Sequence, residues 1–309
     1  MKAIVLNLSA WIILPFMDAI AKYLSSELSF FQITWARYFF TVFFTFPFMF
    51  LFFKHQLKWT KNPKLQFYRG LSLFLANICF FYSISIISMA KALTLAFVAP
   101  LITTSLSPFF LGEKVGLRRW SAVIIGFVGV YVILNPNFSN FDYMTLTPIL
   151  CALCYSLSMI IIKLTSEKDT VYTQTFTFYF GAIIFSIIIY FVAGDGQYNT
   201  IEHPASQYIL REWFTNLEVS LLLMIATGFT ASIAFFFLFT AYRIASPAVV
   251  SPFEYSILIW SSLSGWYFFN EIPDLKTIIG ILLIVCGGIY IFIREKVQDQ
   301  PIVTEKPLR

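Results

Sequence analysis

Ten long apolar runs constrain this chain more than any other feature of its sequence. They cover roughly residues 3–23, 30–53, 66–87, 90–111, 118–134, 143–163, 172–193, 217–242, 246–269 and 275–293. A helix needs ~20 mostly apolar residues to cross a bilayer. Charged residues make up only 12% of the 309 positions, about half the share usual in a soluble domain. The sequence therefore predicts an all-α integral membrane protein with ten transmembrane helices.

The positions of Lys and Arg predict how the chain is oriented. Cytoplasmic loops of membrane proteins are enriched in both residues. If the N-terminus is cytoplasmic, 16 of the 21 Lys and Arg residues lie on the cytoplasmic side. We therefore expect a multi-pass protein of the cell inner (cytoplasmic) membrane with both termini in the cytoplasm. The net charge of +5 then reflects topology, and the basic segment 54–64 contacts membrane lipids rather than nucleic acid.

The scarcity of catalytic side chains argues against several other functions. All four cysteines fall inside predicted spans, and both histidines lie in loops. Structural zinc needs four nitrogen or sulfur ligands, so we expect no metal and no cofactor. A membrane enzyme would need clustered acid–base residues, and a channel would need rings of polar groups. The sequence favours a carrier over both, and leaves monomer and homodimer open.

The second half of the chain repeats part of the first half. An offset of 141 positions aligns residues 22–44 with 163–185, and six of the 23 pairs are then identical. One of these pairs is Lys22 with Lys163. The recurrence predicts an internal duplication.

The number of spans in each copy predicts that the copies are inverted. Each copy contains five runs, and five is odd, so the second copy must enter the membrane from the opposite side. We therefore expect two inverted five-helix repeats, residues 1–136 and 137–294, and a disordered cytoplasmic tail at 295–309. Inverted repeats with a site between the halves are typical of secondary transporters.

Four segments carry a resemblance to a known family. They are "AKYLSS…WARYFF", "VAPLITTSLSPFFLGEKV", "GFVGVYVIL" and "SPFEYSILIWSSLSGWYFFNEIPD". With them the chain resembles the EamA-type, ten-helix members of the drug/metabolite transporter superfamily over about residues 3–293. The second half departs from the family's usual Gly-Glu, which is present at Gly112-Glu113, by having Asn270-Glu271.

This resemblance implies a function as well as a fold. It implies alternating-access transport of a small organic metabolite through a central cavity lined by helices 1, 3, 4, 6, 8 and 9. The motif "NEIPD" is similar to the uptake branch that handles S-adenosylmethionine or riboflavin. We therefore expect uptake of a cationic, zwitterionic or planar aromatic metabolite. Exporters of amino acids or drugs share the fold, so export stays open as the alternative.

Charged residues inside the predicted spans are candidate functional groups. Such residues cost about 2.5–3.5 kcal/mol each at the centre of a span, so they face a cavity or pair with one another. Asp18 and Glu254 are candidates for substrate binding and proton coupling. A structural pair of Asp18 with Arg37 or Lys22 is the alternative. We interpret Lys22, Arg37 and Lys163 as structural charges.

Prolines and mid-span polar or aromatic side chains complete the predicted site. Pro100 and Pro252 interrupt corresponding spans, which predicts helix breaks that act in gating and carbonyl groups, freed from helix bonds, that line a cavity. The alternative is that these prolines only bend the helices for packing. Aromatic rings away from the interfaces suit a planar or cationic ligand, although core packing is an alternative for each. The further candidates for substrate binding are Trp11, Asn77, Tyr82, Thr103, Tyr155, Tyr255 and Trp260.

Overall fold

The computed structural model places the chain in helices joined by short loops. It describes residues 2–53, 58–112, 115–134, 143–165, 168–199, 208–214, 217–244 and 251–297. In these ranges the α-helices are α1 (Lys2–Leu24), α2 (Phe30–Phe53), α3 (Pro63–Ile86), α4 (Met89–Ala96), α5 (Ala99–Leu111), α6 (Leu117–Leu134), α7 (Thr147–Thr165), α8 (Val171–Ala193), α9 (Leu217–Ile244), α10 (Ile257–Phe269) and α11 (Leu275–Val297). Two 3₁₀ helices precede α7 and α10, at Tyr143–Leu146 and Ser251–Ser256.

Most of the predicted spans correspond to these helices. Seven stretches of the described chain are long and apolar enough to cross a membrane, with α4 and α5 counted as one; α6 and α11 carry shorter apolar stretches. The ninth predicted run falls on the second 3₁₀ helix and α10, and its residues 246–250 lie outside the described ranges. Helix α11 continues to Val297, and Glu295 and Lys296 are good helix formers. The rest of the tail predicted at 295–309 lies outside the described ranges.

Helices from the two halves pack in pairs that the repeat relates. Helix α1 packs against α9, and α3 packs against α7. The repeat relates α1 to α7 and α3 to α9, so it turns the first pair into the second. One aligned position makes the same kind of contact in both halves. The side chain of Gln32 accepts the N–H of Phe214 at 3.2 Å, and Thr173, 141 residues later, accepts the N–H of Lys58 at 3.3 Å. This packing supports the predicted duplication.

The spans that contain Pro100 and Pro252 both depart from a continuous α-helix near the proline. Helix α4 ends before Phe97, and α5 begins with Pro100 in its first turn. Because proline lacks an N–H, it is favoured in the first turn of a helix and disfavoured further inside one. In the second half, Pro252 lies in the 3₁₀ helix Ser251–Ser256 that leads into α10. The boundary predicted at 136–137 lies outside the described ranges.

Helices α6 and α11 cross closely at glycines. A Cβ on Gly129 would lie 3.0 Å from Leu283 Cβ and 3.1 Å from the carbonyl oxygen of Gly280. A Cβ on Gly287 would lie 3.0 Å from the carbonyl oxygen of Ala122. Small residues allow helix backbones to approach in membranes, so these glycines fix the contact between the last helices of the two halves.

A buried carboxylate joins the halves at the end of α7. Asp169 accepts hydrogen bonds from Thr60 Oγ1, the Lys61 N–H at 2.8 Å and Gln66 Nε2 at 3.1 Å. Burial by itself raises the pKa of Asp169, but these donors outweigh it and hold the pKa below the ordinary 3.8. The carboxylate therefore ties the α2–α3 loop of the first half to the α7–α8 corner of the second.

Candidate functional site

One face of α1 carries three polar side chains into the bundle. Asn7, Trp11 and Asp18 follow at spacings of four and seven residues, which places them on one face of the helix. Asn7 is 0% exposed and Asp18 is 6% exposed, while Trp11 shares an apolar cluster with Tyr255. The sequence prediction included Trp11 and Asp18 but missed Asn7, although its spacing to them was a usable signal.

Asp18 lies near Arg37, whose guanidinium is hydrogen-bonded to other side chains. It is within electrostatic range of Arg37. Arg37 Nη2 donates to the Tyr38 hydroxyl at 2.8 Å and to Asn77 Oδ1. The guanidinium also lies 4.7 Å from the centre of the Phe81 ring. Among the described residues no hydrogen bond joins Asp18 to Arg37, so the carboxylate retains its capacity to accept hydrogen bonds.

The two interrupted spans contact each other through aromatic side chains. Phe97, at the break between α4 and α5, makes an edge contact with Tyr255 of the 3₁₀ helix at a ring distance of 5.8 Å. Trp11 belongs to the same cluster. We call Trp11, Phe97 and Tyr255 the aromatic centre. The hydroxyl of Tyr255 lies so close to the Cα of Gly288 that any Cβ there would overlap it.

A carboxylate and a second tyrosine adjoin the aromatic centre. Glu254 lies within electrostatic range of the hydroxyls of Tyr255 and Tyr155. Tyr155 of α7 is 43% exposed, yet its hydroxyl is also within range of Arg69 on α3. Glu254 precedes Tyr255 in the chain, so Glu254 and Tyr155 adjoin the aromatic centre.

Lys22 binds a partner that the sequence reasoning did not propose. Its ammonium forms an ion pair with Glu271 and donates to the carbonyl of Ile87 at 3.3 Å. The other oxygen of Glu271 accepts the Met89 N–H at 2.9 Å. We call these four residues the latch. The suggested Asp18–Lys22 pair is therefore wrong, because the ammonium is turned towards the α3–α4 and α10–α11 junctions.

Asp274 is a second acidic residue at the α10–α11 junction, and it also interacts with neighbouring groups. The side chain of Asp274 accepts the Thr277 N–H at 2.8 Å at the start of α11. Hydrogen bonds from the Thr277 side chain and backbone, followed by the charges of Lys91 and Lys276, hold the pKa of Asp274 below its ordinary 3.8. The attraction between Lys91 and Asp274 thus joins the same two junctions as the latch.

The other predicted residues lie on α3, α5, α7 and α10. The hydroxyl of Thr103 donates to the carbonyl of Ala99 at 2.9 Å within its own helix. Pro100 is exposed, and Trp260 makes no ring contact within the described chain. Tyr82 is buried in α3. Lys163 lies in the last turn of α7, and Glu113, which stands in the first half where Glu271 stands in the motif of the second half, lies outside the described ranges.

Comparisons with known proteins identify relatives along the whole chain. A profile of the EamA-like transporter family matches residues 1–135 and 143–293. An S-adenosylmethionine uptake transporter of Rickettsia prowazekii is 28% identical, with 94% of each chain covered. A riboflavin transporter of Vibrio cholerae is 26% identical over 65% of this chain and 61% of its own length. A pseudopaline exporter of Pseudomonas aeruginosa is 28% identical, with 72% of each chain covered.

A solved structure has the same fold. A protein crystal structure that is 16% identical to this chain superposes with a TM-score of 0.61, covering 96% of this chain and 99% of its own. At this level of identity the likeness concerns the fold alone.

Proposed function

Because the chain belongs to the EamA-like transporter family, and is thus a multi-pass membrane protein that moves small molecules, we propose that it is an uptake carrier for an S-adenosylmethionine-like metabolite. The carrier would work by alternating access in the cytoplasmic membrane, with both termini in the cytoplasm. The observation that carries this proposal is the meeting of the two interrupted spans at Phe97 and Tyr255. Interrupted helices in corresponding positions of two repeats are where transporters bind substrate.

The substrate proposal rests on complementary chemistry. S-adenosylmethionine combines a flat base, a sulfonium cation and a zwitterionic amino-acid group. The aromatic centre offers faces for stacking and cation–π contact. Glu254 offers a negative charge beside it, and the Asp18–Arg37 region offers both signs of charge. A riboflavin-like ligand would use the same aromatic faces without needing the charges.

The repeat organisation gives the proposed carrier its two alternating states. We take residues 1–136 and 137–294 as inverted repeats, which the two separate family matches and the exchangeable helix pairs support. In the proposed orientation the latch lies on the outer side, where it joins the end of α1 to two junctions. This conformation is then closed to the outside, and the latch must break for substrate to enter.

Glu254 is the residue whose replacement tests the proposal most directly. Glu254→Gln keeps the size of the side chain but removes the charge that would meet a cationic substrate or carry a proton. We expect wild-type proteoliposomes to show saturable uptake and counterflow of labelled S-adenosylmethionine. The uptake rate of the variant should be lower by a factor of about ten or more, which corresponds to a loss of ~1.4 kcal/mol of binding free energy. Glu27→Gln, at an exposed loop position, is the matched control.

Two different outcomes would refute the proposed role of Glu254 and the proposed carrier function. Wild-type rates for Glu254→Gln at every pH between weakly acidic and weakly basic would remove Glu254 from the site. Ohmic currents without counterflow would indicate a channel instead of a carrier.

Export is the second candidate function, because one relative with 72% mutual coverage is named an exporter. A carrier that moves substrate by alternating access works in either direction along a gradient. The assay should therefore compare efflux from loaded vesicles with uptake into empty ones, for S-adenosylmethionine and for amino acids. Saturable efflux of amino acids, with no response to S-adenosylmethionine, would favour the exporter.

A further inference from the structure

Asn7 is a fully buried amide that has no hydrogen-bond partner among the described residues. It is 0% exposed, and within the described chain neither its Oδ1 nor its Nδ2 has a hydrogen-bond partner. An unpartnered polar group in a membrane interior costs several kcal/mol. Asparagines in spans normally offset this cost by bonding to a neighbouring helix, and Asn7 makes no such bond to any helix in the described part of the chain. Its position therefore favours a role in binding something other than protein.

Helix α1 and the 3₁₀ helix packed against it carry two further groups that are unpartnered among the described residues. The face of α1 that carries Asn7 also carries Trp11, whose indole N–H has no acceptor among the described residues. Helix α1 packs against the 3₁₀ helix Ser251–Ser256, and the buried hydroxyl of Ser256 likewise has no partner in this part of the chain. Trp11 and Tyr255 lie in one cluster. The junction of α1 with the 3₁₀ helix thus offers donors, acceptors and aromatic faces together.

We propose that Asn7 binds the edge of an adenine-type base while Trp11 stacks on its face. This inference rests on the proposed uptake of an adenosyl compound and names the residue that reads the base. A carboxamide presents one acceptor and one donor side by side. Adenine presents the complement, with its 6-amino group as donor and N7 as acceptor, and the two can pair through both bonds.

The length of α1 gives the rest of the ligand a place. Asn7 and Asp18 are eleven residues apart on the same face, which is ~16 Å along the helix at 1.5 Å per residue. A ligand whose base lies at Asn7 reaches along α1 past Trp11 towards the opposite charges of Asp18 and Arg37. These charges suit the ammonium and carboxylate of an amino-acid group. The arrangement matches an elongated molecule with a neutral base at one end and a zwitterion at the other.

The experiment measures which part of the base the carrier recognises. Labelled S-adenosylmethionine uptake into proteoliposomes is inhibited with three unlabelled competitors: S-adenosylmethionine itself, its 7-deaza analogue, which lacks the N7 acceptor, and its inosine-type analogue, in which an oxygen replaces the amino group. We expect wild-type protein to prefer the natural base over each analogue by roughly 5- to 150-fold, the discrimination typical of a bidentate amide–adenine pair.

Two substitutions of Asn7 give different predicted patterns. Asn7→Leu removes both bonds, so the three competitors should become equal. Asn7→Asp, when ionised, still accepts from the amino group but no longer donates to N7, so only the preference over the 7-deaza analogue should disappear. Thr34→Val, which removes another buried and unpartnered hydroxyl on α2, is the control and should keep the wild-type preferences.

Each outcome decides the inference. If wild-type protein takes up S-adenosylmethionine and either Asn7 variant keeps all wild-type preferences, Asn7 does not read the base and the proposed function stands. If wild-type protein takes up no S-adenosylmethionine, both proposals fall. If Asn7→Leu is not recovered as a monodisperse protein, the pattern of Asn7→Asp decides.

Discussion

Neutralising Glu271 should increase the population of molecules that are open at the C-terminal end of α1, which is the outer side in the proposed orientation. Glu271→Gln removes the ion pair with Lys22 while keeping an oxygen that accepts the Met89 N–H. Lys22 then retains only the Ile87 carbonyl and the Phe269 ring, which lies 5.1 Å from its nitrogen. The substitution therefore weakens the closed conformation without removing every contact of the latch.

The size of the effect follows from how far the pair is buried. The side chains of Lys22 and Glu271 are 13% and 22% exposed. Exposed ion pairs contribute ~0.2–1 kcal/mol, and breaking a fully buried one costs about 3–5 kcal/mol. This pair lies between those limits, at about 1–3 kcal/mol. Since 1.4 kcal/mol is a factor of ten, the population open at this end should rise roughly 5- to 150-fold.

Cysteine labelling measures that population. In a background with the four native cysteines replaced, Leu14→Cys places a thiol on α1 next to the aromatic centre, because Leu14 packs in the same cluster as Tyr255. Labelling of right-side-out vesicles by a membrane-impermeant maleimide should be faster in Glu271→Gln by the same factor. An unchanged or slower rate in a variant that melts within a few degrees of wild type would refute the latch as a barrier.

The charge-swapped double variant is the control for this reasoning. Lys22→Glu with Glu271→Lys recreates an ion pair of opposite polarity. The Ile87 carbonyl would then face a carboxylate, and the Met89 N–H would face an ammonium. The swap should therefore restore only part of the wild-type labelling rate, between that of Glu271→Gln and wild type.

Two further predictions concern packing and pH. Gly288→Ala should displace the Tyr255 ring, because a Cβ at that position overlaps the Tyr255 hydroxyl. The uptake rate should then fall while the thermal unfolding temperature changes little. An unaltered uptake rate would place Tyr255 outside the site. Asp169 has a folded pKa below 3.8, so its stabilisation is present at neutral pH and is lost as the pH falls below about 4. Asp169→Asn should lower Tm at pH 7 and remove that acid-side loss, measured by melting in detergent across pH; an identical acid profile in the variant would contradict this assignment.

Local sequence patterns were enough to predict the spans and their interruptions. Apolar length determines where a helix can cross a bilayer. Proline favours a break without requiring one, since Pro15 and Pro47 lie inside continuous helices, so the correspondence of Pro100 and Pro252 between the halves was the informative signal. The repeat also indicated that the two breaks correspond. The sequence therefore predicted that the two breaks belong to one site. It did not identify Phe97, whose ring contacts Tyr255.

Partners distant in the sequence were beyond such reasoning. Lys22 and Glu271 are 249 positions apart, and no periodicity relates them. Helical spacing suggested Asp18 as the partner of Lys22, because residues four apart are neighbours on a helix. The tertiary packing of α1 against α10 instead brings the α10–α11 junction to Lys22. Glu271 was recognised as a landmark of the repeat, but its charge was not assigned a partner.

Helix α1 connects the proposed binding face with the latch. Asp18 and Lys22 are one turn apart, ~6 Å along the axis, but they point to different partners, Arg37 in the interior and Glu271 at the end of the bundle. The helix between them is rigid, so a ligand that pulls Asp18 also moves the ammonium of Lys22 relative to Glu271. A displacement of a few ångströms is enough to break an ion pair whose bonds require atoms within about 3 Å. We propose that the short stretch from Asp18 to Lys22 joins substrate binding mechanically to release of the latch.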